Sequence, residues 1–210
     1  MNVFVLCTGR CGSMTFARAW GHAENFTAAH ESKRGTLGPR TYPEDHIEVD
    51  NSLSWVLGRL DALYGEEAFY VHLKRKREDT VQSFMGRAGI VPKAYGRLIG
   101  ASIEERRRDV CEHYYDTVNQ NIELFLKDKP WKMNFSLASA QTDFREFWDR
   151  IDANGNLSEA LEEWKRNYNA SDSEAEEHGS LSERISQFPI RAGRKITRVV
   201  RKLPGFLSRA

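Results

Sequence analysis

The chain has 210 residues, of which 40% are hydrophobic, and its 31 basic and 30 acidic side chains leave a net charge of +1 at pH 7. This length suits one α/β domain with a compact core, and the near balance of charge argues against a nucleic-acid partner. The three cysteines are too few for a disulfide framework and follow no metal-ligand spacing, so we expect a reducing, cytoplasmic location and no metal site. The first predicted element begins at Val3, so we also expect neither a signal peptide nor a membrane anchor.

This first element is a buried strand over Val3–Leu6, which breaks into a turn with Gly9 and Gly12 and continues as a helix from about Ser13. Glycines allow positive φ and close backbone approach, so successive N–H groups of such a turn can converge on one phosphate or sulfate. The positive end of the following helix dipole points at the same place. The side chains that add donors are Arg10, Ser13 and Thr15. The segment therefore predicts a site for a multiply charged anion.

Three other loop types do not fit this turn. No lysine follows Gly12, so the Walker A lysine that contacts the β- and γ-phosphates is missing, and hydrolysis of ATP or GTP is disfavoured. The turn also lacks the third glycine of the dinucleotide-binding pattern. A cysteine phosphatase needs an arginine six residues after its nucleophile, and neither Cys7 nor Cys11 has one there. We therefore expect no catalytic role for these thiols.

A second strand is predicted over Phe26–Ala29, with His30 and Glu31 at its carboxyl end, where doubly wound sheets place their chemistry. A loop is expected over 39–46. Apolar residues at helical spacing then predict a helix over Leu53–Leu60.

A third strand over Phe69–Leu73 ends in a basic run that includes Arg75. The segment Glu78–Phe84 reads as the first turns of a helix, with Ser83 eight residues after Arg75. Both side chains can face one phosphate in the crevice where open α/β sheets bind ligands. The remaining predicted elements are a loop over 86–95, a long helix opened by a capping box at Ser102–Glu105, a fourth strand over Trp131–Leu137 and two later helices. The alternation predicts a three-layer α/β/α fold with a central parallel sheet.

At two of these segments the chain resembles the sulfotransferase family, whose sulfuryl donor is 3'-phosphoadenosine 5'-phosphosulfate (PAPS). The family's first motif, Arg/Lys-Ser-Gly-Thr-Thr after a strand, falls on Arg10–Met14, where serine and methionine replace the two threonines. Its second motif, Arg-Asp-Pro-x-Asp with a serine eight residues after the arginine, falls on Arg75–Ser83 without the proline. The resemblance covers Val3 to about Ser171 and implies a P-loop NTPase-like fold.

The resemblance also implies a cofactor site in two parts and no requirement for metal. The first motif would hold the 5'-phosphosulfate of PAPS, while Arg75 and Ser83 would hold the 3'-phosphate of the donor and of its product PAP. The residues of the first part are Arg10, Cys11, Gly12, Ser13, Met14 and Thr15. Arg10 would also stabilise the leaving phosphate during catalysis. The acceptor would be a hydroxyl or amine of a small molecule or a glycan.

Sulfuryl transfer further needs a base for the acceptor proton. Glu31 is the first candidate, because Golgi-type and bacterial members of the family place a catalytic glutamate about one helix and one strand beyond the loop arginine. His30 is the second candidate, since the ordinary pKa of histidine suits proton transfer at neutral pH. Asp50 is the third, because other members place a base on a later segment. Polar residues expected near the acceptor are Arg40, Tyr42, Arg87 and Lys93.

The composition divides the chain into a catalytic domain over 1–170, an acidic polar linker over 171–189 and a basic amphipathic tail over 190–210. The tail could contact an anionic membrane surface or an anionic partner, pack on the domain, or fray. The oligomeric state is not indicated. Two other functions stay open for the protein: a nucleotide-dependent phosphotransferase of the P-loop class, and a non-catalytic module that binds a nucleotide or another anion.

Overall fold

A computed structural model describes residues 1–32, 38, 41–86 and 90–166. Within these residues, five parallel strands form one sheet in the order β2-β3-β1-β4-β5. The strands are β1 (Val3–Leu6), β2 (Thr27–His30), β3 (His46–Val49), β4 (Phe69–Lys74) and β5 (Lys132–Ser136). Every residue of β1 is buried, as expected for a parallel strand covered on both faces. The predicted α/β fold with a central parallel sheet is confirmed.

Helices cover both faces of this sheet. The α-helices of the described residues are α1 (Ser13–Ala19), α2 (Leu57–Tyr64), α3 (Arg77–Met85), α4 (Ile90–Leu98), α5 (Arg107–Leu126), α6 (Ala140–Arg150) and α7 (Leu157–Glu162). Side chains of α1, α6 and α7 share one apolar core with Val3 and Val5, and side chains of α2 to α5 share a second core with Phe4 and Leu6. The alternation along β1 therefore separates two helical layers, which gives the predicted three-layer arrangement.

The strand register gathers several loops at one edge of the sheet. Leu6 at the end of β1 pairs with His72 of β4, and His30 at the end of β2 pairs with Val49 of β3. Because parallel strands all end at the same edge, the segments that follow β1, β2, β3 and β4 meet there. This edge is the crevice in which the sequence pattern places the anion site.

Strand β3 was not among the predicted strands, and Glu48 explains why. This carboxylate lies in the middle of the strand and is fully buried. It accepts hydrogen bonds from the Ser32 hydroxyl (2.6 Å) and backbone N–H (2.9 Å), and it lies 3.2 Å from His46 Nε2. Burial alone would raise the pKa of the Glu48 carboxyl, but the hydrogen bonds from His46 and Ser32 hold it below its ordinary value.

The helical segments also differ from their predicted bounds. The predicted helix over Leu53–Leu60 is divided between a 3-10 helix, Asn51–Trp55, and α2. The Ser102 hydroxyl accepts from Glu105 N–H at 3.3 Å, but this pair caps a separate turn, and α5 begins later. The loop predicted over 86–95 is wrong from position 90, because α4 begins there and tolerates Pro92 in its first turn.

A buried histidine in β4 makes the stability of the fold depend on pH. His72 is 0% exposed, and its Nε2 lies 2.8 Å from Asn119 Oδ1 on α5. Burial outweighs this hydrogen bond and lowers the pKa of His72 from 6.5 to about 4. The unfolded chain therefore binds a proton between these two values that the folded protein excludes.

We expect the free energy of unfolding to fall as the pH drops from 6.5 towards 4, by up to about 3 kcal/mol from this group. A His72→Gln variant keeps a polar side chain opposite Asn119 but cannot titrate, so its stability should change less over the same range. Denaturant unfolding of both proteins across this pH range measures the difference. Equal pH slopes would contradict the assignment to His72.

The linker over 171–189 and the tail over 190–210 lie outside the described residues, so their assignments stay predictions. Among the helices that the structure does describe, none is long and apolar enough to cross a membrane.

Candidate anion-binding and catalytic site

The turn after β1 adopts a conformation that requires its glycines. Gly9, Arg10 and Gly12 have φ values of 80°, 58° and 90°, all in the left-handed region. A Cβ on Gly9 would lie 2.9 Å from Asn51 Nδ2, and one on Gly12 would lie 2.8 Å from Leu137 Cδ1. Both positions therefore exclude larger residues by backbone conformation and by space together.

Side chains from two other elements hold this turn in place. The Tyr114 hydroxyl on α5 donates to the Thr8 carbonyl at 2.8 Å. The Ser54 hydroxyl donates to the Cys7 carbonyl and accepts from the Cys7 N–H, both at 3.1 Å. These bonds pair backbone groups at the end of β1 that the sheet no longer pairs, so the turn leaves the sheet in a defined direction.

The thiols of the turn face the interior. Cys7 and Cys11 are both fully buried. A hydrogen bond with Cys11 and burial together raise the pKa of the Cys7 thiol, so it is not an activated nucleophile. Burial likewise leaves the Cys11 side chain inaccessible to a ligand. Ser13, Met14 and Thr15 follow in the first turn of α1, each half-buried.

The second predicted motif meets this turn directly. Arg10 Nε donates to Ser83 Oγ at 2.9 Å, across 73 positions of sequence. Arg75 Nη1 donates to the Arg10 carbonyl at 3.3 Å, and the Arg75 guanidinium lies 3.9 Å from the Asp79 carboxylate. The Tyr115 hydroxyl on α5 donates to the Arg75 carbonyl at 2.8 Å. The structure thus brings together two guanidinium groups and a hydroxyl from segments that are distant in the chain.

The first two candidates for the base, Glu31 and His30, also lie near this turn. His30 Nε2 is 3.0 Å from Ser13 Oγ. Glu31 has a φ of 51° and its N–H donates to the Val49 carbonyl at 3.1 Å, which continues the β2–β3 pairing by one residue. Its carboxylate accepts from Asn51 Nδ2 at 3.0 Å. The turn after β1 is called the anion turn below. His30 is linked to it through Ser13, and Glu31 is linked to it through Asn51.

Asp50, the third candidate, is differently placed. It is 1% exposed, and its carboxylate accepts from the Ser52 N–H at 2.7 Å as the cap of the 3-10 helix. Burial raises the pKa of Asp50 above its ordinary value. A carboxylate enclosed in this way caps the 3-10 helix and has little access to an acceptor, which leaves Glu31 and His30 as the candidate bases.

Of the residues expected near the acceptor, the structure describes Tyr42 and Lys93. Tyr42 is 5% exposed, and its ring packs against Phe4 and His46 in the second core. Lys93 lies on α4, 3.8 Å from Glu104. Arg40 and Arg87 lie outside the described residues. The expectation for Tyr42 was wrong, because its ring completes the packing around β1.

Several residues that contact the turn could not be identified as site residues from the sequence. Asn51 follows a strand that was not predicted, so the sequence pattern gave no reason to expect it beside Gly9 and Glu31. The apolar spacing of Val110, Tyr114, Val118 and Ile122 predicts one buried face of α5, which is confirmed, but the contact of the Tyr114 hydroxyl with the turn depends on how α5 packs. An aromatic residue at helical spacing predicts burial and leaves open where a terminal hydroxyl points.

Fold and site together define an α/β protein with a P-loop-like sheet and a basic turn at its carboxyl edge. No protein-family model matches the chain, and no curated protein matches it in sequence. Among solved structures, the chain is similar to the sulfotransferase domain from the curacin biosynthetic pathway, with a TM-score of 0.58 and 14% sequence identity. The match covers 79% of this chain and 77% of that domain. At this identity the likeness establishes a shared fold.

Proposed function

We propose that this protein is a sulfotransferase that moves a sulfuryl group from PAPS to a hydroxyl or amine of a small-molecule or glycan acceptor. The observation that carries the proposal is the meeting of two distant motifs, since Ser83 and Arg75 both bond to Arg10 in the glycine turn. A nucleotide with a phosphosulfate at one end and a phosphate at the other needs two neighbouring cationic cradles. The fold shared with a sulfotransferase domain supports the same proposal.

The residues present fit such a donor. The guanidinium of Arg10, the Ser13 hydroxyl and the N–H groups of positions 11–15 would hold the 5'-phosphosulfate. Arg75 and Ser83 would hold the 3'-phosphate, with Arg75 able to grip two oxygens through its planar donor fork. The half-buried position of Ser83 and the partial exposure of Arg75 leave both groups within reach of a ligand.

When bound, the donor supplies an electrophilic sulfur joined to a phosphate leaving group. Glu31 would take the acceptor proton as the acceptor oxygen or nitrogen bonds to sulfur, and His30 is the alternative base. Arg10 would stabilise the negative charge that collects on the leaving phosphate as its bond to sulfur breaks. Because arginines supply this charge, the proposed reaction needs no metal. The three free, buried cysteines suit a reducing cytoplasmic setting for it.

Ligand-dependent unfolding tests the donor assignment. At about 100 times its Kd, PAP should raise the unfolding temperature by roughly 5–10 °C, because it binds the folded protein alone. Adenosine 5'-monophosphate, which lacks the 3'-phosphate, is the matched control and should have a smaller effect. Incubation with PAPS and pooled cellular metabolites should then produce a mass gain of one sulfate on the acceptor.

Each alternative function has its own outcome in this experiment. ATP turnover that requires magnesium, without stabilisation by PAP, would overturn the proposal and indicate a P-loop phosphotransferase. Stabilisation by PAP with no transfer across a broad acceptor panel would indicate a non-catalytic binding module.

A further inference from the structure

Asn51 connects the two halves of the proposed catalytic centre. It is the first residue of the 3-10 helix that follows β3. Its Nδ2 lies 3.0 Å from Glu31 Oε1 and would lie 2.9 Å from a Cβ on Gly9, so the amide rests directly on the anion turn. One side chain therefore lies against the turn that leads into the proposed donor site and also bonds to the carboxylate that would accept the proton.

The orientation of this amide is set by its other neighbour. The Ser52 hydroxyl donates to Asn51 Oδ1 at 3.4 Å, a long bond that assigns the oxygen to the Ser52 side. Nδ2 then faces Glu31 as a donor. Aspartate has nearly the same shape but would bring a second negative charge to Glu31, so shape alone does not account for the amide at this position.

Glu31 itself needs such a restraint. Its φ of 51° is unfavourable for a residue with a side chain, and a glutamate carboxylate moves about several rotatable bonds. A hydrogen bond from a residue packed against the turn limits the carboxylate to positions close to the bound donor. Placement of a reacting group within a narrow range of geometry is a large part of enzymatic rate enhancement.

We propose that Asn51 is a positioning residue that holds the Glu31 carboxylate at the anion turn for proton transfer. The inference rests on the proposed sulfotransferase function and on Glu31 as its base. Asn51 acts through Glu31 and touches no reacting atom. The close approach of Asn51 to Gly9 keeps its amide beside the turn, so the Glu31 carboxylate is held next to the proposed donor site.

The test compares Asn51→Ala and Asn51→Asp with the wild-type chain, using PAPS and the acceptor found in the metabolite screen. Loss of a hydrogen bond to a charged group predicts a fall in kcat of about 10- to 100-fold for Asn51→Ala, and a larger fall for Asn51→Asp. The Kd for PAP should stay within about 2-fold, and the unfolding temperature should be little changed, since Asn51 is half-buried. Asn121→Ala, which removes an exposed amide on α5, is the matched control and should behave as wild type.

A double-mutant cycle separates positioning from a general structural effect. In a Glu31→Gln background, Asn51→Ala should change kcat by less than about 2-fold, because the group it positions is already removed. Additive losses in the double variant, or a wild-type kcat in Asn51→Ala, would overturn this inference and leave the proposed function standing. An absence of sulfuryl transfer by the wild-type protein would overturn the proposed function, and the inference with it.

Discussion

A Glu31→Gln variant is expected to lose sulfuryl transfer by about 10²- to 10⁴-fold, the range associated with removal of a general base. Glutamine has nearly the same shape as glutamate and can still accept the hydrogen bond from Asn51, but it cannot take the acceptor proton. The loss should therefore fall on kcat, while the Kd for PAP stays close to the wild-type value. Initial rates of sulfate transfer and calorimetric titration with PAP measure the two quantities separately.

Two further variants are needed to interpret this result, one as a control and one to test the alternative base. Glu24→Gln, which changes an exposed glutamate before β2, should retain full activity. His30→Asn removes the alternative base beside Ser13. Near-normal turnover in Glu31→Gln together with loss in His30→Asn would move the base to His30. Loss of PAP binding in Glu31→Gln would show that Glu31 supports the turn and has no separate chemical role.

An Arg75→Ala variant is expected to bind PAP about 10- to 100-fold more weakly, as for removal of a hydrogen bond between charged groups. Its affinity for adenosine 5'-monophosphate should change little, because that ligand carries no 3'-phosphate for Arg75 to contact. Titration of both nucleotides against both proteins gives the four dissociation constants needed. The ratio between the two ligands is the decisive quantity, since it cancels any general loss of affinity.

Arg75 has a second contact that affects how this comparison is interpreted. Its guanidinium also donates to the Arg10 carbonyl, so its removal could loosen the turn itself. Equal losses for PAP and the 5'-monophosphate would indicate such loosening and would break the assignment of Arg75 to the 3'-phosphate. Arg59→Ala, an exposed arginine on α2, is the control for a change in net charge and should leave both affinities unchanged.

The fold could be predicted where burial follows simple patterns. β1 and β4 are apolar or aromatic runs because both their faces are covered, and such runs are visible in a sequence. β3 was missed because a carboxylate stands in its middle. Glu48 is tolerated there by Ser32, which lies in the segment after β2, and by His46, the first residue of the same strand. A charged residue with distant partners cannot be told from a surface residue by sequence pattern.

The candidate site likewise contains residues that could be predicted from the sequence and residues that could not. The spacing of Arg75 and Ser83 predicts that both lie at the sheet edge used by the glycine turn, and in the structure both hydrogen-bond to Arg10. The position of Asn51 could not be predicted, because it depends on the course of β3. The roles of all these residues toward a ligand stay predictions until the nucleotide titrations are made.

Adjacent tyrosines on α5 have a consequence that reaches both parts of the site. The Tyr114 hydroxyl donates to the Thr8 carbonyl and the Tyr115 hydroxyl donates to the Arg75 carbonyl, so one 20-residue helix fixes the separation of the two loops. The helix lies outside both motifs, yet its position sets the distance between them. The spacing of the two loops is thus set by a residue 40 positions downstream of Arg75.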